Sequence, residues 1–245
     1  MKAKRASVEA SQFRRLLAPS ALKRIGGYLF AVAFILAGWW ATSVALHSPA
    51  LPTPGATFAV LAANVHALAP DFVVSAYRVV ASVAIGTVLA VPIALVCAHS
   101  RVLDGLFAPV LYLLYPIPKV VLLPILLVFL GLADAPKIAL ISIQVLVAVR
   151  DAVRGLPQDQ IDAVRALGAS SADVLRLVIA PATLPAVLTS LRISTGTAIA
   201  VLFFAEAIAG STGLGYFIMQ SWALVNYARM FAGIIAMAVL GVALY

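Results

Sequence analysis

RDAVRGLPQDQIDAVRALGASSADVLRLVIAPATLPAVLTSLR, residues Arg150–Arg192, is a polar interruption between two apolar segments of a chain that otherwise avoids charge. Gly155 and Pro157 close the preceding segment and open a short helix, because proline suits the first helical turn. Ile161, Val164 and Leu167 recur at helical spacing, with Asp162 and Arg165 beside them. Gly168 is placed to stop that helix, since glycine reaches the left-handed conformation at little cost. Ser170-Ser171-Ala172-Asp173 has capping-box spacing and restarts a second helix. Pro181 and Pro185 are expected to limit that helix. The pattern predicts a helix–turn–helix knob with a small, partly apolar face, lying between membrane spans.

Composition fixes the surroundings of the knob. Of 245 residues, 64% are hydrophobic and 11% charged, whereas a soluble domain carries about 25% charged residues. That much apolar surface requires a bilayer. The net charge is +8, but seven of the 17 basic residues lie in the first 24 positions and five in the Arg150–Arg192 stretch. Such clustering reads as a topological signal and not as a nucleic-acid surface. Cys97 is the single cysteine, which excludes an intrachain disulfide. GxxxxGK[ST], HExxH and GxSxG motifs are all missing, so neither a P-loop ATPase nor these hydrolase chemistries are encoded. His47, His66 and His99 are too far apart in sequence to suggest a metal site and read as surface or interfacial residues.

Outward from the knob, residues 1–25 form a basic segment suited to the membrane surface and 26–245 a membrane domain. The run Ile25–Leu46 is too long for a signal-peptide core and reads as a retained first span. Residues 47–71 lack Lys and Arg and belong outside. The second span covers about Phe72–Ala98 and carries Arg78, expected to snorkel or to be paired inside the bundle. Pro109, Pro116, Pro118 and Pro124 break the stretch Leu106–Leu132, around Lys119. A single broken crossing keeps the five arginines of the knob region on the same side as the basic N-terminus; a hairpin would reverse them. Lys137–Asp151 and Ala186–Ile208 supply the fourth and fifth spans. Ser190, Ser194, Ala198 and the Gly196/Ala200 pair offer small-residue faces on the fifth. Gly210, Gly213 and Gly215 mark an outside turn, and a sixth span from Arg229 reaches Tyr245 in about 17 residues. That barely crosses the bilayer and suggests a truncated C-terminus.

Asp162-Ala163, Gly168 and Pro181 stand at the intervals of the cytoplasmic EAA loop, which is written Glu-Ala-Ala, three residues, Gly, nine residues, Ile, any residue, Leu-Pro. The chain resembles the permease subunits of binding-protein-dependent ATP-binding-cassette importers, departing from the motif at Asp162, Val164, Val178 and Ala180. Leu51-Pro52-Thr53-Pro54, Ser75-Ala76-Tyr77-Arg78-Val79-Val80, Tyr115-Pro116-Ile117-Pro118 with Leu122-Leu123-Pro124, Ala205-Glu206 and Gly213-Leu214-Gly215-Tyr216 are similar to the sulfonate, taurine and nitrate branch. The resemblance implies an all-α integral membrane protein with six transmembrane helices, the type I permease fold with cytoplasmic coupling helices. It also implies a multi-pass subunit of the bacterial inner membrane with a cytoplasmic N-terminus, paired with a second copy of this same chain. Two ATPase subunits and a periplasmic binding protein complete the expected assembly. The chain would be non-catalytic and bind no cofactor, ATP and Mg²⁺ belonging to the ATPase.

Within that frame, Asp162, Ala163, Arg165, Gly168, Ala169, Ser170 and Pro181 are the ATPase-coupling candidates. Tyr115, Lys119, Gln144, Phe203 and Glu206 are candidates for the translocation path. Glu206 is the one acid well inside an apolar span: it either serves the path or hydrogen-bonds backbone in the Gly210–Gly215 turn, and the second role is favoured. Lys119, between broken half-helices, either attracts an anionic solute or snorkels. Two rival classes remain: a proton-coupled secondary transporter using Glu206, and a non-transporting membrane scaffold. No inverted repeat supports the first, and the second gives no reason for broken spans.

Overall fold

A computed structural model describes residues 19–99, 101–114, 116–154 and 158–245. Among the described residues every regular element is helical. The basic residues 1–18, Tyr115, Gly155 and Pro157 lie outside them. Two compact units divide at Ala59 and Val60.

In the first unit, α1 (Pro19–Leu46) is followed by a short return into α2 (Pro54–Ala63). Trp39 Nε1 donates to the Pro52 carbonyl at 2.9 Å, and Ser43 Oγ to that of Leu51 at 2.7 Å. Thr53 caps α2, its Oγ1 accepting the Ala56 N–H at 3.3 Å, with Pro54 as the first helical residue. Tyr28, Leu29, Phe30 and Phe34 on α1 are exposed, as suits a helix in contact with lipid.

The second unit is built on α3 (Val65–His99), α6 (Ala135–Arg154) and α9 (Ala180–Ala209). Between α3 and α6 run α4 (Arg101–Leu114), a 3-10 turn (Lys119–Leu122) and α5 (Leu123–Leu130). The knob follows as α7 (Gln158–Ala166) and α8 (Ser171–Asp173), then a π-helical turn (Val174–Ile179). After α9 come α10 (Leu214–Ala223) and α11 (Tyr227–Leu244). Ile141 and Val145 of α6 meet Val79 and Ala90 of α3 and Ala198 and Leu202 of α9 in one core, closed by Phe217 and Met237.

The α3–α6 crossing is close because small residues face it. Ser142 Oγ donates to the Ser82 carbonyl at 3.1 Å. A Cβ at Gly86 would stand 2.7 Å from Val145 Cβ and 2.8 Å from the Ser142 carbonyl oxygen. Gly86→Ala is therefore expected to lower stability by about 1–3 kcal/mol, as overpacking does. Thermal unfolding of the detergent-solubilised protein measures it, and an unchanged midpoint would contradict the packing.

Helices Gly26–Leu46, Val65–Cys97, Val174–Ala209 and Tyr227–Leu244 are long and apolar enough to cross a membrane. Arg78 of α3 contacts Asp134, whereas Leu95, about 25 Å further along at 1.5 Å per residue, packs at the base of the knob. The segment 101–130 thus links the knob end of α3 to the bend beside Arg78.

Three sequence expectations change. The helix begun at Ser171 does not end at Pro181 or Pro185 but runs on to Ala209. The Ala180 N–H reaches back five residues to Leu175 O, so Pro181, lacking an N–H, falls where the ladder returns to α register. Ser190, Ser194 and Ala198 are buried, but Gly196 and Ala200 face outward, with nothing within 4 Å of a Cβ at Gly196. Finally, α10 fills part of what reads as an outside turn; its Phe217 and Ile218 pack tightly against Gly233 of α11.

Candidate functional site

Asp71, Ser75 and Arg78 lie at i, i+4 and i+7, on one face of α3. That face meets the 131–134 bend, the end of α9 and the loop 210–213. The Arg78 guanidinium is 3% exposed and its N–H groups make five hydrogen bonds. Nε and Nη2 donate to Asp134 Oδ1 at 2.8 and 2.6 Å. Nη1 donates to Glu206 Oε1 at 2.7 Å and to the Thr212 carbonyl at 2.9 Å, and Nη2 to Thr212 Oγ1 at 2.9 Å. Arginine has five such donors, so the side chain is saturated.

Glu206 is fully buried. Its carboxylate accepts from Ser75 Oγ at 2.9 Å, from Arg78, and from the Gly215 N–H at 2.9 Å. Ser75 Oγ in turn accepts the Leu214 N–H, and Asp71 Oδ1 the Gly213 N–H at 2.7 Å. Gly213 has φ +105°, and a Cβ there would fall on the Glu206 carboxylate. Nearby, buried Lys137 donates to the carbonyls of Leu132 and Ala133 at 3.2 and 2.9 Å. The cluster ties two loops and the end of α9 to α3. In this arrangement Glu206 plays the turn-bonding role weighed above, and a proton relay would have to break those bonds.

At the other end, α7 terminates in a Schellman motif. Gly168 has φ +86°, its N–H donates to Arg165 O at 2.9 Å, and the Ala169 N–H to Val164 O at 3.4 Å. The next residue, Ser170, opens the following helix through a reciprocal capping box. Its N–H donates to Asp173 Oδ2 at 3.1 Å, and the Asp173 N–H to Ser170 Oγ at 3.2 Å. Val164 and Ala169 pack with Leu95 against buried Val174 and Ile179, so the knob has its own small core. Asp162 and Arg165 stay at the surface, 3.7 Å apart. Ala163 and Pro181 are exposed, and Leu167 and Leu177 are 87% and 72% exposed.

The Ser170 hydroxyl, and then its N–H, hold the Asp173 carboxyl below the usual carboxylate range. A depressed folded-state pKa means that this contribution is present at neutral pH. It is lost only as pH falls through that lowered value. Ser170→Ala is expected to weaken the knob by about 1 kcal/mol at pH 7 and to raise the Asp173 pKa. Hydrogen exchange at the α8 amides and carboxyl NMR titration read the two effects.

Lys119 and Gln144 line one cavity of about 740 Å³ with Asp151, Thr189, Ser190 and Ser194. Phe203 lines a different, apolar one of about 610 Å³ with Ile199, Ile218 and Met237. Of the path candidates, then, the fold brings Lys119 and Gln144 together and separates them from Phe203 and Glu206; Tyr115 lies outside the described residues.

Residues 90–245 match the family described as binding-protein-dependent transport system inner membrane component. A probable ABC transporter permease of Brucella melitensis is 31% identical over 178 residues, covering 71% of this chain and 72% of the relative. The chain belongs to this permease family. The taurine transport system permease of Escherichia coli is 30% identical over 167 residues (66% of this chain, 61% of that one). A putative aliphatic sulfonates transport permease of Bacillus subtilis is 29% identical over 172 residues (69% and 62%). This permease is thus a multi-pass membrane subunit of a transporter and not an enzyme. The family match spans the knob, both cavities, Asp134, Glu206 and Thr212; Asp71, Ser75 and Arg78 precede it. Sequence reading missed Asp71, Ser75, Asp134, Thr212 and the burial of Lys137. The available signal was charge balance: a permanent cation within the second span requires acids from elsewhere in the bundle.

Proposed function

We propose that this chain forms the translocation path of an ATP-driven importer of the bacterial inner membrane, with six spans and a cytoplasmic N-terminus. The knob 158–180 is its coupling helix region, docking into a separate ATPase subunit. The observation that carries this reading is the stop at Gly168 and the restart at Ser170, which leave Leu167 and Leu177 exposed on a knob with its own core. A rigid knob with an exposed apolar tip and an acid at Asp162 suits a groove on a partner, where a charge pair sets orientation. Two copies of the permease bind two ATPase subunits that hold ATP and Mg²⁺. Nucleotide-driven closure draws the knobs together and rotates α6 and α9. A periplasmic binding protein delivers a small solute, and the names of the relatives support the taurine and sulfonate class.

Two measurements test this. Cys97 is buried, so a Leu167→Cys variant gives a single accessible thiol. It is expected to resist a membrane-impermeant maleimide in intact cells and to react after permeabilisation; labelling from outside rejects the topology. Asp162→Lys is expected to lose the co-purifying ATPase while the permease still inserts. Full retention of the ATPase rejects Asp162 as the coupling acid.

A further inference from the structure

From Ser171 to Ala209 the chain is one continuous helix with a single irregularity, the π turn Val174–Ile179. Beyond it the buried positions Ile179, Thr183, Val187, Ser190 and Ser194 follow at steps of three or four residues, as one face of an α-helix does. Val174, also buried, stands five residues before Ile179. In α register that step would set the two side chains about 140° apart. The π turn takes up the extra residue and brings both onto one face, where they pack with Val164, Ala169 and Leu95.

Two separate cores meet along this helix. Among the described residues, Leu95 alone joins the knob's core from the rest of the bundle. From Val187 onward α9 belongs to the main core, with Val79 and Val145. Between Ile179 and Val187 only Thr183 is buried, and Pro181 and Pro185 each remove a backbone N–H from the ladder. Thr183 Oγ1 and Thr189 Oγ1 donate to the carbonyls of Ala180 and Pro185, both at 2.8 Å, a bonding pattern that bends helices. An α register through this stretch would press the Pro181 ring on the carbonyl of Leu177, and a wider π turn relieves that contact. The same residues thus have two ways to accommodate Pro181, a kinked α-helix and a π turn.

We propose that this turn is the joint of the coupling arm: it exchanges between π and α register as the ATPase moves the knob, so that the knob turns against α9 while the main core stays packed. Passage of one residue through the joint corresponds to about 100° of helix rotation. The proposal rests on the importer reading and deepens it, since motion reaches α9 through a two-state register change and not through a rigid lever. The joint stands at the boundary of the two cores, where a change of register disturbs only the small packing around Leu95.

Deleting Arg176 tests the joint. That residue is exposed and lies within the turn; without it Val174 and Ile179 stand four residues apart, the helix closes in α register and both cores keep their facing. Arg176→Ala keeps the residue count and separates loss of the charge from loss of the turn. Hydrogen exchange is followed in nanodiscs of the full-length permease with its co-purified ATPase, with and without Mg²⁺ and AMP-PNP. In the wild type, nucleotide is expected to speed exchange at the 175–180 amides about tenfold or more, as local opening does. It should also alter the Gly213, Leu214 and Gly215 amides, which bond to Asp71, Ser75 and Glu206 at the far end of α9. The deletion should leave the 175–180 amides slow in both states and abolish the response at 213–215, whereas Arg176→Ala should respond as the wild type does. A deletion variant with the wild-type response at 213–215 overturns the proposal, and so does an Arg176→Ala variant that loses it. Should the deletion variant fail to fold or to hold its ATPase, the wild type decides: 175–180 amides as slow as those of 195–205 in both states overturn the joint. A wild type that retains its ATPase and responds at 213–215 with a silent turn refutes the joint and leaves the importer reading standing. A wild type that retains no ATPase refutes both.

Discussion

Glu206→Ala is expected to cost about 3–5 kcal/mol of stability, the largest loss from any single side-chain truncation in this permease. The substitution removes the acceptor for Ser75 Oγ, Arg78 Nη1 and the Gly215 N–H together. It leaves a guanidinium that is 3% exposed without its buried carboxylate partner. Glu206→Gln keeps one carbonyl acceptor and should lose less. Asp134→Ala should lose less again: its carboxylate is 46% exposed, so water can take its place beside Arg78. Unfolding in mixed micelles ranks the three, and an Ala variant within about 1 kcal/mol of wild type would show that the cluster does not hold the loops. A double-mutant cycle with Arg78→Met should recover part of the loss, because removing both charges leaves no buried unpaired ion, and Asp134, 46% exposed, is left to water.

The second large effect concerns coupling. At Gly168 the surroundings are open, with nothing within 4 Å of an added Cβ, so substitution meets only the backbone strain of φ +86°. Gly168→Val is expected to leave the melting temperature nearly unchanged. Holding a β-branched residue in that conformation costs about 1–2 kcal/mol, and the knob sheds the strain by tilting. Affinity for the ATPase should then fall about five- to thirtyfold, the factor that such a strain represents. Gly168→Asn should fall far less, because asparagine tolerates the left-handed region. Equal losses for Val and Asn would mean that the conformation of the turn is irrelevant to docking.

Those two expectations differ in how visible their sites were in the sequence. Gly168 and Ser170–Asp173 could be read from the linear order, since a Schellman motif and a capping box each close within six residues. The break at Pro116 and Pro118, ahead of Lys119, was visible for the same reason, since proline acts on its own turn, whereas Pro109 lies inside α4 and does not interrupt it. The Arg78–Glu206 pair joins positions 128 residues apart, and no local pattern assigns one to the other. Pro181 misled because the π turn that accommodates it is a register change in the helix ladder, invisible in side-chain spacing. The helix α10 was missed because its sequence is as apolar as a span but only ten residues long.

By itself the sequence determined that this chain lives in a membrane, where its polar knob turns and restarts, and which stretch cannot be one straight helix. Each depends on composition or on groups within a turn or two of one another. Tertiary structure alone decided that Arg78 is saturated by Asp134, Glu206 and Thr212, and that Lys119 and Gln144 share one cavity. The physical reason is that a buried charge or hydroxyl is satisfied by whatever packing brings within about 3 Å, and packing between distant segments is a property of the whole bundle.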